Sequence, residues 1–394
     1  MRILTSASAH RTDIWRGRQS PWIAAAIALL LGSAFVAARL QKFDGDASGF
    51  VVAGDHFVDR ALAPVGLRVF DNPTGYDGIH FYRLALAPFS NQATAFGITL
   101  DAPAYRQQRI LYPLLAWGLS GGQPSRVLAA LIGINLFGLA VIAALGAMLA
   151  RRAGRHPLLG LVLAFYPGFV ISLARDLSEI TATAFVLGGL VLWQRSRFGT
   201  AALAFSLAVL ARETTLFVPL GLALGSCFEA VRRRRDALAL LIPAAVYAGW
   251  QLWLWSRWGA FPVQQATGLD PPFAGLARFL ASYIPPQTNV EIAYLASAAY
   301  LAGLIALTGC AVRWSQASRP LLAAWSMYGV LATTLSWSVW IEDIGFLRVT
   351  TELAILSLVL LMISPLRFRA ALAWAVAATG ILCLAQASRR IGGL

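Results

Sequence analysis

The chain has 394 residues, of which 58% are hydrophobic and 13% charged, against roughly 25% charged in an ordinary soluble domain. Too few polar side chains remain to cover a water-facing surface, which excludes a soluble globular protein. The net charge of +14 comes from 32 Lys and Arg, all Arg except Lys42. They lie in short clusters between apolar runs, the pattern of the positive-inside rule, and this excludes nucleic acid as a partner.

A spanning helix needs about 20 mostly apolar residues. The first such run, 21–40, follows Arg2, Arg11, Arg16 and Arg18, which predicts a cytoplasmic amino-terminus. It is too long for a signal-peptide core and no A-x-A-like site follows, so it reads as a membrane anchor. A first extracytoplasmic loop, 42–125, comes next. Within it, 110–120 is apolar but too short to span and is expected to lie along the membrane. Further spans are predicted at 126–150, 157–174, 180–194, 199–211, 215–230 and 237–256. A second external loop at 257–290 follows, and then spans at 291–312, 321–341, 350–364 and 371–387. The expectation is an all-α polytopic membrane bundle of about eleven transmembrane helices in a single membrane domain, 1–394, with membrane-parallel helices in the first loop. The tight arginine clusters fall inside, except Arg389 and Arg390. Of 18 Asp and Glu, only Asp13, Glu229 and Asp236 fall inside. Topology rules barely sort acids, so the outward excess points to function. Cys227, Cys310 and Cys383 sit in apolar runs without metal-ligand spacing.

The first loop carries the strongest chemical signal. Asp77 precedes Gly78-Ile79-His80-Phe81-Tyr82-Arg83, a stretch patterned as a short amphipathic helix along the membrane. There Asp77 reads either as an N-cap or as a general base where a lipid-borne substrate meets water. Downstream, Asp101, Tyr105, Arg106 and Arg109 lead into the apolar run. Arg106 and Arg109 are three apart, share a helical face, and could hold a phosphate or snorkel to headgroups. Three clusters occupy outer helix ends: Arg175 with Asp176 and Glu179, where both acids are expected on one helical face; Arg212 with Glu213; and Glu342, Asp343, Arg348 and Glu352. Ionisable groups near membrane helices are costly and usually functional, with Arg348–Glu352 and Arg175–Glu179 ion pairs as the structural alternative. Asp44-Gly45-Asp46 has the D-x-D spacing of metal-dependent sugar transferases and would admit a divalent cation, though Gly45 reads equally as a turn. His56 and His80 are lone imidazoles and read as structural.

The segment Tyr76-Asp77-Gly78-Ile79-His80-Phe81-Tyr82-Arg83-Leu84-Ala85 resembles the WDS-x-x-(F/Y)-x-x-I-A motif of the GPI-mannosyltransferase branch of GT-C integral-membrane glycosyltransferases. Tyr76 and Gly78 stand where that motif has Trp and Ser. Arg109-Ile110-Leu111-Tyr112-Pro113-Leu114-Leu115 resembles that branch's F-P-L-Y-P-L-L segment. Detailed similarity covers about residues 70–120. The resemblance implies a polyprenyl-phosphate sugar donor, a lipid, glycan or protein acceptor, and a catalytic Asp at Asp77 on the extracytoplasmic face of a membrane such as the bacterial inner membrane. Asp77 and Asp101 are then the candidate catalytic carboxylates. Tyr76, His80, Arg83, Tyr105, Arg106, Arg109, Asp176, Glu179, Arg212, Glu213 and Arg348 are the candidate substrate- and phosphate-binding residues. A transporter or flippase of a lipid-linked sugar, with charges at broken helices, and an O-antigen polymerase or ligase are the competing readings.

Overall fold

The computed structural model describes residues 20–71, 75–228, 238–265, 268–313 and 318–392. The arginines at 2, 11, 16 and 18, those at 232–235, and Asp13, Glu229 and Asp236 lie outside them. The described chain is almost entirely helical.

Helix α1, Ser20–Lys42, carries only apolar and small residues over most of its length. The first loop then holds two very short strand pairs, β1 (Ala53–Gly54) with β2 (Val69–Phe70), parallel, and β3 (Thr94–Ala95) with β4 (Ile98–Thr99), antiparallel. Between them lies α2, Gly78–Leu86, with every residue buried. Helix α3, Pro103–Gln107, and α4, Leu111–Ser120, follow. Gly121 and Gly122, at φ +63° and +73°, then turn the chain. Pro124 next opens the long α5, Pro124–Arg152, as proline does where no intrahelical N–H is needed.

Two later helix pairs are bent. Helices α6 (Gly160–Ala164) and α7 (Pro167–Ala174) meet at 53°, because Pro167 cannot continue the hydrogen-bond ladder. Apolar helices α8 (Glu179–Gln194), α9 (Phe198–Ala211) and α10 (Phe217–Ser226) come next, then α11, Ile242–Trp258. The second loop contains α12, Ala274–Tyr283, and leads to α13, Asn289–Val312. Helix α14 is Arg319–Thr333 and α15 is Trp337–Trp340. The span expected at 321–341 therefore stops at Thr333. The second loop docks at this stop: Asp270 N–H donates to the Thr334 carbonyl at 2.8 Å, and Trp337 N–H donates to the Asp270 carboxylate at 3.2 Å.

Helices α16 (Asp343–Val349) and α17 (Thr351–Ile363) meet at 59°. The Thr350 and Thr351 hydroxyls donate to the carbonyls of Phe346 and Leu347, at 2.7 and 3.2 Å, and the Tyr166 hydroxyl also donates to the Leu347 carbonyl at 2.7 Å. Hydroxyls bonding back onto the ladder bend helices. Helix α18, Arg369–Gly392, closes the chain.

Among the described residues, five helices are long and apolar enough to cross a membrane, or seven with each bent pair taken as one span. This is a membrane protein by length and composition of its helices. The expectation of about eleven also counted shorter apolar segments; α8, α9 and α10, at 16, 14 and 10 residues, are too short to cross a ~30 Å core upright. Helix α17 is buried on all sides and forms the centre. Helices α1, α11 and α18 keep long apolar faces exposed, among them Leu30, Leu252 and Leu384, the pattern of a lipid-facing perimeter.

Candidate active site

Asp77 occupies the N-cap position of α2, yet its carboxylate caps nothing: it makes no hydrogen bond to the helix's N–H groups. Both oxygens turn to arginines instead. Arg106 of α3 donates from Nη1 to Oδ1 at 2.7 Å, and Arg348 of α16 donates from Nη2 to Oδ2 at 3.0 Å. The position is tightly built. Gly78 follows it, and a Cβ there would lie 2.5 Å from the Arg175 carbonyl oxygen and 2.7 Å from that of Val51. Gly75 precedes it at φ +54°, with the Val52 carbonyl as close, a combination only glycine accepts.

The two arginines extend the network in opposite directions. Arg106 grips Asp101 through Nε and Nη2 at 2.7 and 2.8 Å. Arg348 spreads its fork over three groups: Nη2 to Asp77, Nε to Glu179 at 2.8 Å, and Nη1 to the Tyr76 hydroxyl at 2.6 Å. Glu179, at the first turn of α8, also meets Arg212 at 2.6 Å and accepts from the Ser172 hydroxyl at 3.0 Å. Beside Arg212, Glu213 takes Arg109 in a two-pronged pair at 2.8 and 2.6 Å, and Arg109 also donates to the Tyr105 hydroxyl at 3.0 Å. The Tyr105 ring faces both Arg106 and Arg109, and the Tyr76 ring is covered by Arg175 at 4.2 Å and Arg348 at 5.1 Å, distances at which a guanidinium is attracted to the ring face.

Segments distant in sequence thus converge: Tyr76, Asp77 and His80; Asp101, Tyr105, Arg106 and Arg109; Arg175 and Glu179; Arg212 and Glu213; Arg348. Five guanidiniums face four carboxylates. Asp77 keeps a quarter of its side-chain surface open, so a substrate can reach it, whereas Glu179 is closed off.

Electrostatics follow from this packing. Burial alone would raise the Asp77 carboxyl, but the charges of Arg106 and Arg348 outweigh it and hold it far below the usual carboxylate range. Asp101 is also lowered: burial opposes, and the Arg106 hydrogen bonds and charge prevail. Burial, joined by the charge of Arg106, pulls His80 down from 6.5 to about 4, leaving a neutral imidazole whose Nε2 lies 3.6 Å from Asp101. Burial raises the Tyr76 hydroxyl above its usual value, so it keeps its proton.

Four expectations need correction. Asp176 and Glu179 do not share a helical face: Asp176 sits in the break between α7 and α8 at φ +49°. Its two buried oxygens have no hydrogen-bond partner among the described residues, and the cation whose charge acts on it is Arg39. Arg83 turns away from the cluster, donating to the Ser90 hydroxyl and the Gln92 carbonyl at 3.2 and 3.1 Å, so it ties down the loop ahead of β3. Arg348 does not pair with Glu352, whose buried oxygens have no hydrogen-bond partner among the described residues. Arg348 lies before the Thr350 bend and is aimed at Tyr76, Asp77 and Glu179 instead. Asp343 also leaves the cluster: it is fully buried and paired with Arg389 and Arg390.

Asp44 and Asp46 each lie 3.5 Å from Arg68, which supplies the positive charge in the D-x-D segment. Among the described residues no three His, Cys, Asp or Glu side chains gather into a metal site.

Sequence reasoning missed the supports of α3. The Trp258 indole donates to the Gln107 side chain at 2.6 Å, the Trp250 indole to the Gln108 carbonyl at 3.2 Å, and the Tyr247 hydroxyl to the Gln108 side chain at 3.2 Å. These α11 residues look like ordinary interfacial aromatics in sequence; only the paired glutamines hinted at partners. No protein family, curated protein or solved structure matches this chain.

Proposed function

We propose that this protein is a GT-C-like glycosyltransferase that moves a sugar, mannose or similar, from a polyprenyl-phosphate donor to a lipid, glycan or protein acceptor. In this reading it is a multi-pass protein of about eleven spans in a bacterial inner membrane, with the short α8, α9 and α10 crossing where the bilayer thins locally around them. The Asp77 cluster then faces the extracytoplasmic side. The observation that carries the reading is the Asp77 carboxylate, which occupies a cap position without capping and is partly open, held between two arginines from distant segments.

The chemistry is a single displacement. The acceptor hydroxyl oxygen attacks the anomeric carbon, the bond to the phosphate oxygen breaks with its electron pair, and the centre inverts. Asp77 takes the hydroxyl proton. Negative charge grows on the departing phosphate, where Arg106, Arg109, Arg212 and Arg348 are the available cations. With five guanidiniums against four carboxylates, the cluster has an excess of one positive charge, the complement of a phosphodiester donor. A carboxylate clamped by two arginines is a weak base. A donor phosphate that draws Arg106 and Arg348 toward itself would restore its basicity as the substrate arrives.

Purified Asp77→Asn protein tests this directly. The substitution keeps the side chain's size and there is no cap to lose, so the fold is expected to survive, while turnover of a polyprenyl-phosphate sugar falls ~100- to 10,000-fold, as for loss of a general base. Near-normal turnover removes Asp77 from the role and passes it to Asp101.

A second reading, transport of a lipid-linked sugar, draws on Arg348 and Glu352, which flank the bend between α16 and α17; charges at broken helices are a mark of transporters. Liposomes holding the protein separate the two: transfer yields a new glycosidic bond, whereas transport moves an unchanged lipid-linked sugar between leaflets.

A further inference from the structure

A groove of about 720 Å³ runs between α1 and α5 at the end of the bundle far from Asp77. Helix α8 measures the separation. Glu179 at its first turn belongs to the Asp77 cluster, while Arg195, just past its last turn, lines the groove; 16 residues of helix span about 24 Å. The groove walls are apolar and include Trp22, Phe137 and Ala144. Trp22 and Phe137 are 73% and 70% exposed, so the groove opens sideways, toward lipid, between two helices long and apolar enough to cross a membrane.

Its far rim has a different character. Arg151, Arg152 and Arg195 line it, and among the described residues no carboxylate does. Helices α1 and α5 contain no acidic residue, and the one in α8 is Glu179, at the opposite end. Arg152 donates to the neutral Gln194 side chain at 3.0 Å, which orients the guanidinium without cancelling its charge. From Phe137 to Arg152, α5 rises about 22 Å, enough to cross one leaflet of a ~30 Å hydrocarbon core. An apolar trough one leaflet deep, ending in three guanidiniums, has the dimensions and polarity of a lipid with an anionic headgroup.

We propose that this groove binds one anionic phospholipid, its acyl chain lying along α5 and its phosphate held by Arg152 and Arg195. Guanidinium forks match phosphate oxygens in pairs. The site is independent of the reaction assigned to Asp77.

Native mass spectrometry of the purified full chain, titrated with phosphatidylglycerol or phosphatidylcholine of matched acyl chains, tests it. One phosphatidylglycerol is expected to be retained roughly 25-fold more tightly, about fivefold for each of two guanidiniums near a lipid headgroup. The Arg152→Gln/Arg195→Gln double variant is expected to lose most of that preference. Ala144→Trp, which fills the trough and leaves the arginines in place, is expected to abolish retention of phosphatidylglycerol. Unchanged melting temperatures of lipid-free variants report an intact fold. Equal retention of the two lipids, a preference unchanged in both variants, or competition by millimolar inorganic phosphate alone would each overturn the proposal.

Discussion

Arg348→Lys keeps a positive charge and removes a shape. In the native protein three separate nitrogens of Arg348 reach three separate groups, Glu179, Tyr76 and Asp77, at 2.8, 2.6 and 3.0 Å. A lysine carries one nitrogen on a flexible stem and can satisfy one of the three directions well. Hydrogen bonds involving charged groups contribute about 1.5–3 kcal/mol each, so losing two removes on the order of 3–6 kcal/mol. The loss is softened because Asp77 keeps Arg106 and Glu179 keeps Arg212 and Ser172. A net destabilisation of about 2–4 kcal/mol is expected, in the range for breaking a buried polar network. Asp77→Asn on the same background should cost less than it does in the native protein, by about 1–2 kcal/mol, because the two changes share one bond. The assay is equilibrium unfolding of the purified chain in mixed micelles, followed by the fluorescence of its 13 tryptophans. A loss below about 0.5 kcal/mol, the scale of a neutral surface change, or strict additivity of the pair would refute the convergence of these residues.

Gly78→Ala is expected to cost about 1–3 kcal/mol as an overpacked site, since the new methyl meets two backbone carbonyls and neither can rotate away; a melting temperature equal to the native value would contradict that geometry. His80 gives a pH signature. Its folded value of about 4 lies below the ordinary 6.5, so as pH falls the unfolded chain takes up a proton first. Stability from this group is whole above 6.5 and declines between 6.5 and 4, by up to about 3 kcal/mol; His80→Gln should flatten that limb of the stability profile. Reporter fusions after residues 90 and 275 are expected to read extracytoplasmic, and after 154 and 197 cytoplasmic; the reverse reading at 90 would place the Asp77 cluster on the other side.

Helix positions were legible because the signal is apolar length: 126–150 against Pro124–Arg152, and 291–312 against Asn289–Val312. The breaks were not read: 157–174 was expected as one span although Pro167 interrupts it, and at Thr350 and Thr351 a back-bonded threonine looks like any other in a sequence. The candidate site was legible as a set of residue types at helix ends. Its pairings were not. Spacing of four suggested Arg348 with Glu352, yet the partners lie 169 and 271 residues away, and only the placement of α16 beside both the first loop and the start of α8 selects them. Arg83 shows the same limit: it belongs to the motif by position and to the loop ahead of β3 by contact.

The latch at the carboxy-terminal end of α18 bears on how the protein is made. Asp343 opens α16, the helix that carries Arg348, and is neutralised by Arg389 and Arg390, while the Arg390 carbonyl accepts from Arg39 at the end of α1. A buried aspartate left unpaired within a membrane is costly. Before α18 joins, Asp343 lacks both arginines and α1 lacks one of its contacts, so the seating of α16 that presents Arg348 to Asp77 is expected to settle only once α18 is in place. Assembly of the cluster is thereby tied to α18, and a chain truncated before Arg389 would hold every residue of the cluster without the contacts that seat α16.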